Sequence, residues 1–89
     1  MANYSYPIDE DWSHEEIALV INFLTLVETA NEEGVETKAF LTGYQKFKTV
    51  VKSIGEEKRI GREFQAVSGY SIYRTLQQAK KTTANRFKM

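Results

Sequence analysis

Cysteine is absent from this sequence, and proline and histidine occur once each. Without cysteine, neither a disulfide framework nor a thiolate metal site can form, and an unstapled small domain fits a reducing cytoplasm. The apolar-rich run at residues 17–27 has eleven residues, whereas a membrane-spanning helix needs about twenty. The first twelve residues show neither the basic nor the apolar region of a signal peptide. We therefore expect a cytoplasmic protein that does not enter a membrane.

Residues that could carry catalysis or hold a metal are also few. His14 stands beside Ser13, and adjacent helix residues do not face each other, so no catalytic Ser–His pair is expected. The acids at residues 9–11 could attract a hard cation, but acids before a helix are usually a solvated turn that complements the helix dipole. The glycines are isolated and match neither phosphate-loop motif. We expect no enzyme activity, no catalytic residue, no cofactor and no metal.

Basic residues are missing from the first part of the chain. Residues 1–36 contain nine Asp and Glu and no Lys or Arg, which gives −9. Residues 37–89 contain all twelve Lys and Arg against three Glu, which gives +9, so the formal net charge is zero. Such asymmetry raises nucleic acid or an acidic partner as candidates for binding. The favoured interpretation is that the two parts attract each other within the fold.

Hydrophobic spacing predicts an all-α fold, a small bundle of about four short helices with an extended aromatic N-terminal segment. Ser13 and Glu16 match the S-x-x-E capping box at the start of the first helix, which Gly34 ends. Thr37 is the predicted N-cap of the second helix. The third helix is predicted over residues 56–67, with Ile60, Phe64 and Val67 on its buried side. Ser68 and Gly69 end it, and Ser71 caps a fourth helix through about Lys80.

The two ends of the chain are predicted to differ from the helices, within a single helical domain at residues 1–89. Residues 1–12 are an extended packing segment, because Pro7 biases the preceding residue away from the helix. Residues 82–89 are a basic segment of low hydrophobicity, which is predicted to fray. The N-terminal side chains expected to pack over the bundle are Tyr4, Tyr6, Ile8 and Trp12.

The stretch 56–74 combines basic residues, two tyrosines and a Ser-Gly break, and it supports two interpretations. As a helix-turn-helix it would place the fourth helix in the major groove of DNA. As a packed helical corner it would carry solvated charges, with its tyrosines half-buried and their hydroxyls at the surface. A short fourth helix with few apolar anchors favours the helical corner. The candidate interaction face comprises Lys58, Arg59, Arg62, Tyr70, Tyr73 and Arg74.

Four motifs carry a family resemblance over nearly the whole chain. They are YSYPI…W-S-x-E-E-I at residues 4–17, Y-x-x-F-K-x-V-V at 44–51, E-E-K-R-I-x-R-E-F at 56–64 and S-G-Y-S-x-Y-R at 68–74. With these motifs the chain resembles uncharacterised protein family 0223, short helical proteins of low-GC Gram-positive bacteria. It departs from that pattern at residues 52–55, where Pro-Ser-Lys-Ala is more typical, and at residues 23–34. The resemblance implies an all-helical bacterial cytoplasmic domain and no catalytic residues to carry over.

These observations together predict a non-enzymatic interaction module. Its basic face on the third and fourth helices would meet an acidic protein surface, either of an unknown protein partner or of the chain's own acidic part. The alternative is a nucleic-acid-associated protein that uses the same face. Both a monomer and a homodimer are compatible with the sequence.

Overall fold

A computed structural model of the chain describes residues 6–89. It contains four α-helices: α1 at His14–Glu32, α2 at Thr37–Val50, α3 at Ile54–Ser68 and α4 at Ile72–Lys81. A two-residue strand, β1 at Val35–Glu36, lies between α1 and α2, and a second, β2 at Arg86–Phe87, follows α4. The two strands pair antiparallel, with Val35 opposite Phe87. The predicted all-α fold with four helices is confirmed, with this small sheet added to it.

The helix boundaries follow from capping residues in the sequence. The capping box at α1 is confirmed, because the Ser13 hydroxyl accepts from the Glu16 N–H at 3.1 Å and a Glu16 carboxylate oxygen accepts from the Ser13 N–H at 2.9 Å. After α1, Gly34 adopts a φ of 100°, in the left-handed region that glycine tolerates best. The predicted ends of the first helix are therefore both observed.

The second helix begins at Thr37 as predicted, but its predicted cap and the predicted start of the third helix are corrected. Thr37 is the first residue of α2 and not its N-cap, a position that Glu36 holds without a side-chain bond. The Thr37 N–H donates to the Asn85 carbonyl and its hydroxyl donates to the Ala84 carbonyl, so the C-terminal segment takes the place of a cap. The third helix begins at Ile54 and not near residue 56, because the Ser53 hydroxyl accepts from the Glu56 N–H.

One apolar core joins all four helices and both strands. Phe23 of α1 lies at its centre, with ring centroids 5.3 Å from Phe40 and 4.8 Å from Phe47. Ile60 and Phe64 of α3 are buried as predicted, but Val67 is 44% exposed. The predicted burial of Val67 is therefore corrected, since it lies in the last turn of α3. The buried apolar residues are Val20, Phe23, Leu24, Val27, Ala30, Val35, Phe40, Phe47, Val51, Ile60, Phe64, Ile72, Leu76, Ala79 and Phe87.

The frayed tail predicted for residues 82–89 is corrected to a paired segment, which we call the C-terminal clasp (residues 84–89). Phe87 is 6% exposed and packs edge-on against Phe40 at 5.3 Å. The Arg86 guanidinium donates to the Gly34 carbonyl, and the Met89 N–H donates to the Ala30 carbonyl. The clasp is held by partners near residues 30–37, so its own composition does not reveal it.

The N-terminal segment contacts the core at two described residues. Tyr6 stacks on Phe64 with ring centroids 6.2 Å apart, and its hydroxyl donates to Glu28. Trp12 also packs against the core, whereas Ile8 is 38% exposed and so does not pack as predicted. Tyr4 lies outside the described residues, and the extended form of the whole segment stays a prediction.

Candidate interaction groove

The corner between α3 and α4 is built from local backbone signals. Gly69 ends α3 in the left-handed conformation, with a φ of 82° and its N–H donating to the Gln65 carbonyl. Two residues later the Ser71 hydroxyl accepts from the Arg74 N–H and caps α4. Both the Ser-Gly ending and the Ser71 cap are confirmed. The short turn places the two helices side by side with their outer surfaces exposed.

A groove of about 490 Å³ runs between α3 and α4. Its inner wall includes the ring of Tyr44 from α2 and the apolar side chains of Ile72 and Leu76 from α4. At its edges stand two large side chains that are mostly in solvent, Ile54 at 69% and Tyr73 at 70% exposure. The cationic residues that line the groove are Lys58, Arg62 and Lys80. The groove therefore combines apolar surface with positive charge.

Three of the six predicted face residues line this groove. Lys58 and Arg62 stand four residues apart on α3 and so share one side of the helix. Tyr73 projects from the first turn of α4. These three side chains are exposed, which leaves them accessible to a partner.

The other three predicted residues lie outside the groove. Arg59 pairs with Glu63 at 2.7 Å on the exposed side of α3. The Tyr70 hydroxyl donates to Glu32 of α1 at 2.7 Å, so this side chain links the corner to the first helix. Arg74 is exposed on α4. The predicted face is therefore divided, with half of its residues in the groove and half outside it.

Glu57 is the carboxylate in the groove, and it is already engaged. Lys48 donates to one of its oxygens at 2.7 Å, and the Tyr44 hydroxyl donates to the other at 3.1 Å. Burial raises the pKa of Tyr44 to about 12, and the adjacent Glu57 charge adds to the effect. The Lys80 ammonium lies 6.0 Å from the centre of the Tyr44 ring, at the limit of a cation–π contact. This cluster fixes the wall of the groove.

Among residues 6–89, no carboxylate forms an ion pair with Lys58 or Arg62 at the rim of the groove. Across residues 6–89 the ion pairs are Lys48–Glu57 and Arg59–Glu63, so neither Lys58 nor Arg62 has a carboxylate partner there. Both ion pairs join residues of the basic part, 37–89, to each other. Attraction between the acidic and basic parts through ion pairs is thus not observed in the described structure.

Sequence reasoning missed Ile54, Gly61 and Lys80 as groove residues. Ile54 follows Ser53, and Ser53 with Glu56 repeats the S-x-x-E pattern that marked the start of α1, so this signal was present. Gly61 lies inside α3, where a Cβ would meet nothing within 4 Å. A glycine inside a helix costs roughly 0.5–1 kcal/mol relative to alanine. Here it leaves the groove open above the backbone.

Two other kinds of site are absent from the part of the chain that the structure describes. No helix among residues 6–89 has both the length and the apolar character needed to cross a membrane. Over the same residues, no three His, Asp or Glu side chains are grouped closely enough to hold a metal ion. The groove between α3 and α4, with its apolar and cationic side chains, is therefore the candidate functional site.

Fold and groove define a small all-α domain with a cation-rimmed surface groove. The chain belongs to the Uncharacterised protein family (UPF0223), whose family model matches residues 3–88. This confirms the resemblance inferred from the four motifs.

Three bacterial relatives show how far the similarity extends. A UPF0223 protein of Enterococcus faecalis is 61% identical over 89 residues, covering 100% of this chain and 97% of the relative. One of Streptococcus sanguinis is 55% identical over 78 residues, which is 88% of this chain and 85% of the relative. A Bacillus cytotoxicus relative is 52% identical over 79 residues, 89% of each chain. The similarity to the Enterococcus faecalis relative thus spans both strands and all four helices.

Proposed function

We propose that this protein is a non-enzymatic cytoplasmic interaction module that binds an acidic segment of a protein partner in the groove between α3 and α4. One observation carries the proposal: Lys58 and Arg62 lack carboxylate partners within residues 6–89 while they flank the exposed apolar groups of Ile54 and Tyr73. Positive charge beside exposed apolar surface is typical of a site that a complementary partner covers.

The dimensions of the groove favour a segment over a whole domain surface. The groove has a volume of about 490 Å³, which accommodates a few side chains. A whole domain surface would instead bury the area of a standard protein–protein interface, about 1,200–2,000 Å². Recognition of a short segment through apolar anchors and flanking charges is a common mode of peptide binding. Tyr73 suits the role of an anchor, because tyrosine gives a large contact area at low cost in side-chain entropy.

A non-enzymatic role is supported by the groove's own carboxylate. Glu57 is held by Lys48 and Tyr44, an arrangement that favours a structural role over proton transfer to a ligand. Of the remaining predicted face, Arg74 would extend the positive potential along α4. Arg59 contributes less charge because Glu63 neutralises it.

The proposal is tested by affinity capture from a nuclease-treated lysate of a related bacterium. The variant Lys58→Glu/Arg62→Glu reverses the rim charge without removing a buried group, so we expect it to lose the captured protein. The control is Lys38→Glu/Lys46→Glu, which makes the same charge change at a separate depression on α2. A captured set that is the same for wild type and both variants would overturn the proposal.

A second candidate function, single-stranded nucleic-acid binding, is favoured by the 70% exposure of Tyr73 beside these cations. An exposed aromatic ring can stack on a base while Lys and Arg contact phosphates. Fluorescence anisotropy against single- and double-stranded DNA and RNA at low and near-physiological salt tests this function. It requires binding that persists at physiological salt and is lost in Tyr73→Ala and in Lys58→Glu/Arg62→Glu. Binding confined to low salt would reflect only non-specific attraction to phosphate.

A further inference from the structure

We propose that the groove of one copy binds the acidic turn at residues 8–11 of a second copy, so that the protein associates with itself. This inference rests on the groove of the proposed function and names one occupant for it. The interaction surface is therefore formed by two parts of the same chain, which carry opposite charge.

The charge distribution provides the first argument. Residues 1–36 carry −9 and residues 37–89 carry +9, yet the ion pairs found within residues 6–89 lie entirely in the basic part. The acids at residues 9–11 and the cations Lys58 and Arg62 take part in neither of these ion pairs, so the two groups can pair between two molecules. Such complementarity steers association and fixes its register.

The shape of the acidic turn provides the second argument. The Trp12 N–H donates to the Asp9 carbonyl at 3.1 Å, and the Asp11 N–H donates to an Asp9 carboxylate oxygen at 2.9 Å. On either side, Tyr6 and Trp12 pack against the core of their own molecule. The turn is thus anchored at both ends and braced by bonds of its own. A preorganised segment loses less conformational entropy when it binds.

The groups presented by this turn match those of the groove. Ile8 is one of the few large apolar side chains that are exposed, at 38%, and three acids follow it directly. The groove offers the exposed side chains of Ile54 and Tyr73 beside Lys58 and Arg62. Ile8 would contact the apolar edge, while the acids at residues 10 and 11 would face the two cations. Apolar contact and charge pairing then occur in the same small interface.

Self-association would also regulate the proposed function. A groove covered by the turn of a second copy is closed to another acidic segment. Partner binding would therefore compete with self-association, and a partner at sufficient concentration would separate the copies.

Sedimentation velocity over a range of protein concentrations tests the inference at low and high salt. Wild type is expected to self-associate at about 0.05 M salt and to dissociate at about 1 M salt, where the Debye length falls to about 3 Å. The turn variant Glu10→Lys/Asp11→Lys reverses the charge but keeps Asp9, whose carboxylate holds the turn. The groove variant is Lys58→Glu/Arg62→Glu. Each is expected to weaken self-association by more than about tenfold, because like charges then face each other.

Mixing the two variants gives the decisive measurement. In the mixture, the basic turn of one variant can pair with the acidic groove of the other, and the unchanged acidic turn can pair with the unchanged basic groove. The mixture is therefore expected to associate more strongly than either variant alone. The control variant Lys38→Glu/Lys46→Glu is expected to associate like wild type. A monomeric wild type at low salt, or a mixture that stays monomeric, would overturn the inference.

The failures of the two proposals are distinguishable. If wild type is monomeric but groove-dependent capture of a protein persists, this inference is overturned and the proposed function stands. If the charge-swapped mixture associates but capture is unaffected by the groove variant, the proposed function is overturned and self-association stands.

Discussion

Replacement of Phe87 with alanine tests whether the C-terminal clasp completes the core. The ring is 6% exposed and meets Phe40 edge-on at 5.3 Å, and its strand pairs with β1. Truncation to alanine removes this contact and leaves a cavity beside Val35 and Phe40. The clasp has only a few further bonds to keep it in place, among them those from Arg86 and Met89.

The size of the effect follows from the burial of the ring. Phe→Ala in a core typically costs about 3–5 kcal/mol, and we expect about 3 kcal/mol because a two-residue strand can partly close the gap. For a chain of this length each kcal/mol lowers Tm by about 4–8 °C, so Tm should fall by about 12–24 °C. Such a loss is a large part of the roughly 5–15 kcal/mol by which a domain is stable.

Urea and thermal unfolding followed by far-UV circular dichroism measure this loss. Lys88→Ala is the matched control, because the neighbouring side chain is exposed and should change stability by no more than about 0.5 kcal/mol. A loss below about 1 kcal/mol for Phe87→Ala would refute the reasoning. The segment would then fray in solution, as its composition predicts.

Four other changes test the local structure. Gly61→Ala should raise the free energy of unfolding by about 0.5–1 kcal/mol in urea unfolding, because a Cβ meets open space there. Gly43→Ala should raise the free energy of unfolding by less, because its Cβ would lie 2.5 Å from a Leu26 methyl carbon, which must move. The raised pKa of Tyr44, about 12 against 10.0, contributes stability that is complete below pH 10 and is lost as pH rises through 12. Tyr44→Phe should therefore flatten the pH dependence of unfolding in this window, and an unchanged slope would contradict the assignment. Ser13→Ala removes an N-cap and should cost about 1 kcal/mol in thermal unfolding; no loss would argue against the capping box.

Helix number and several helix ends were predictable because their causes are local. Ser13 and Glu16 lie three residues apart, and each bonds to the other's backbone. Gly34 and Gly69 adopt positive φ angles, a conformation that few other residues tolerate. Ser71 caps α4 through an N–H three residues ahead. Each of these signals needs only a few consecutive residues to be recognised.

The C-terminal clasp and the bonds that it makes to the first residue of α2 could not be predicted, because each depends on the other. The sequence suggests that the Thr37 hydroxyl caps α2, yet Thr37 is the first helical residue and its hydroxyl donates to the Ala84 carbonyl. Phe87 follows polar residues, and nothing within its segment indicates that Phe40 lies beside it. Pairing between segments so far apart leaves no periodic pattern in a two-residue strand.

The candidate groove was only partly predictable for a related reason. Charge and helical spacing identified Lys58 and Arg62, and both line the groove. The same criteria selected Arg59 and Tyr70, but these side chains bond to Glu63 of α3 and Glu32 of α1. Ile54 was not selected, since an apolar residue at a helix start resembles a core residue until its surroundings are known.

The pairing of β1 with β2 has a kinetic consequence. It joins residues on either side of α2, α3 and α4, so the chain closes a long loop when the strands meet. Loop closure costs entropy that only the completed contacts repay, which places this step late in folding. Loss of the Phe87 ring should then accelerate unfolding and leave the folding rate nearly unchanged. The clasp would then slow unfolding, and its opening would be the first step when the protein unfolds.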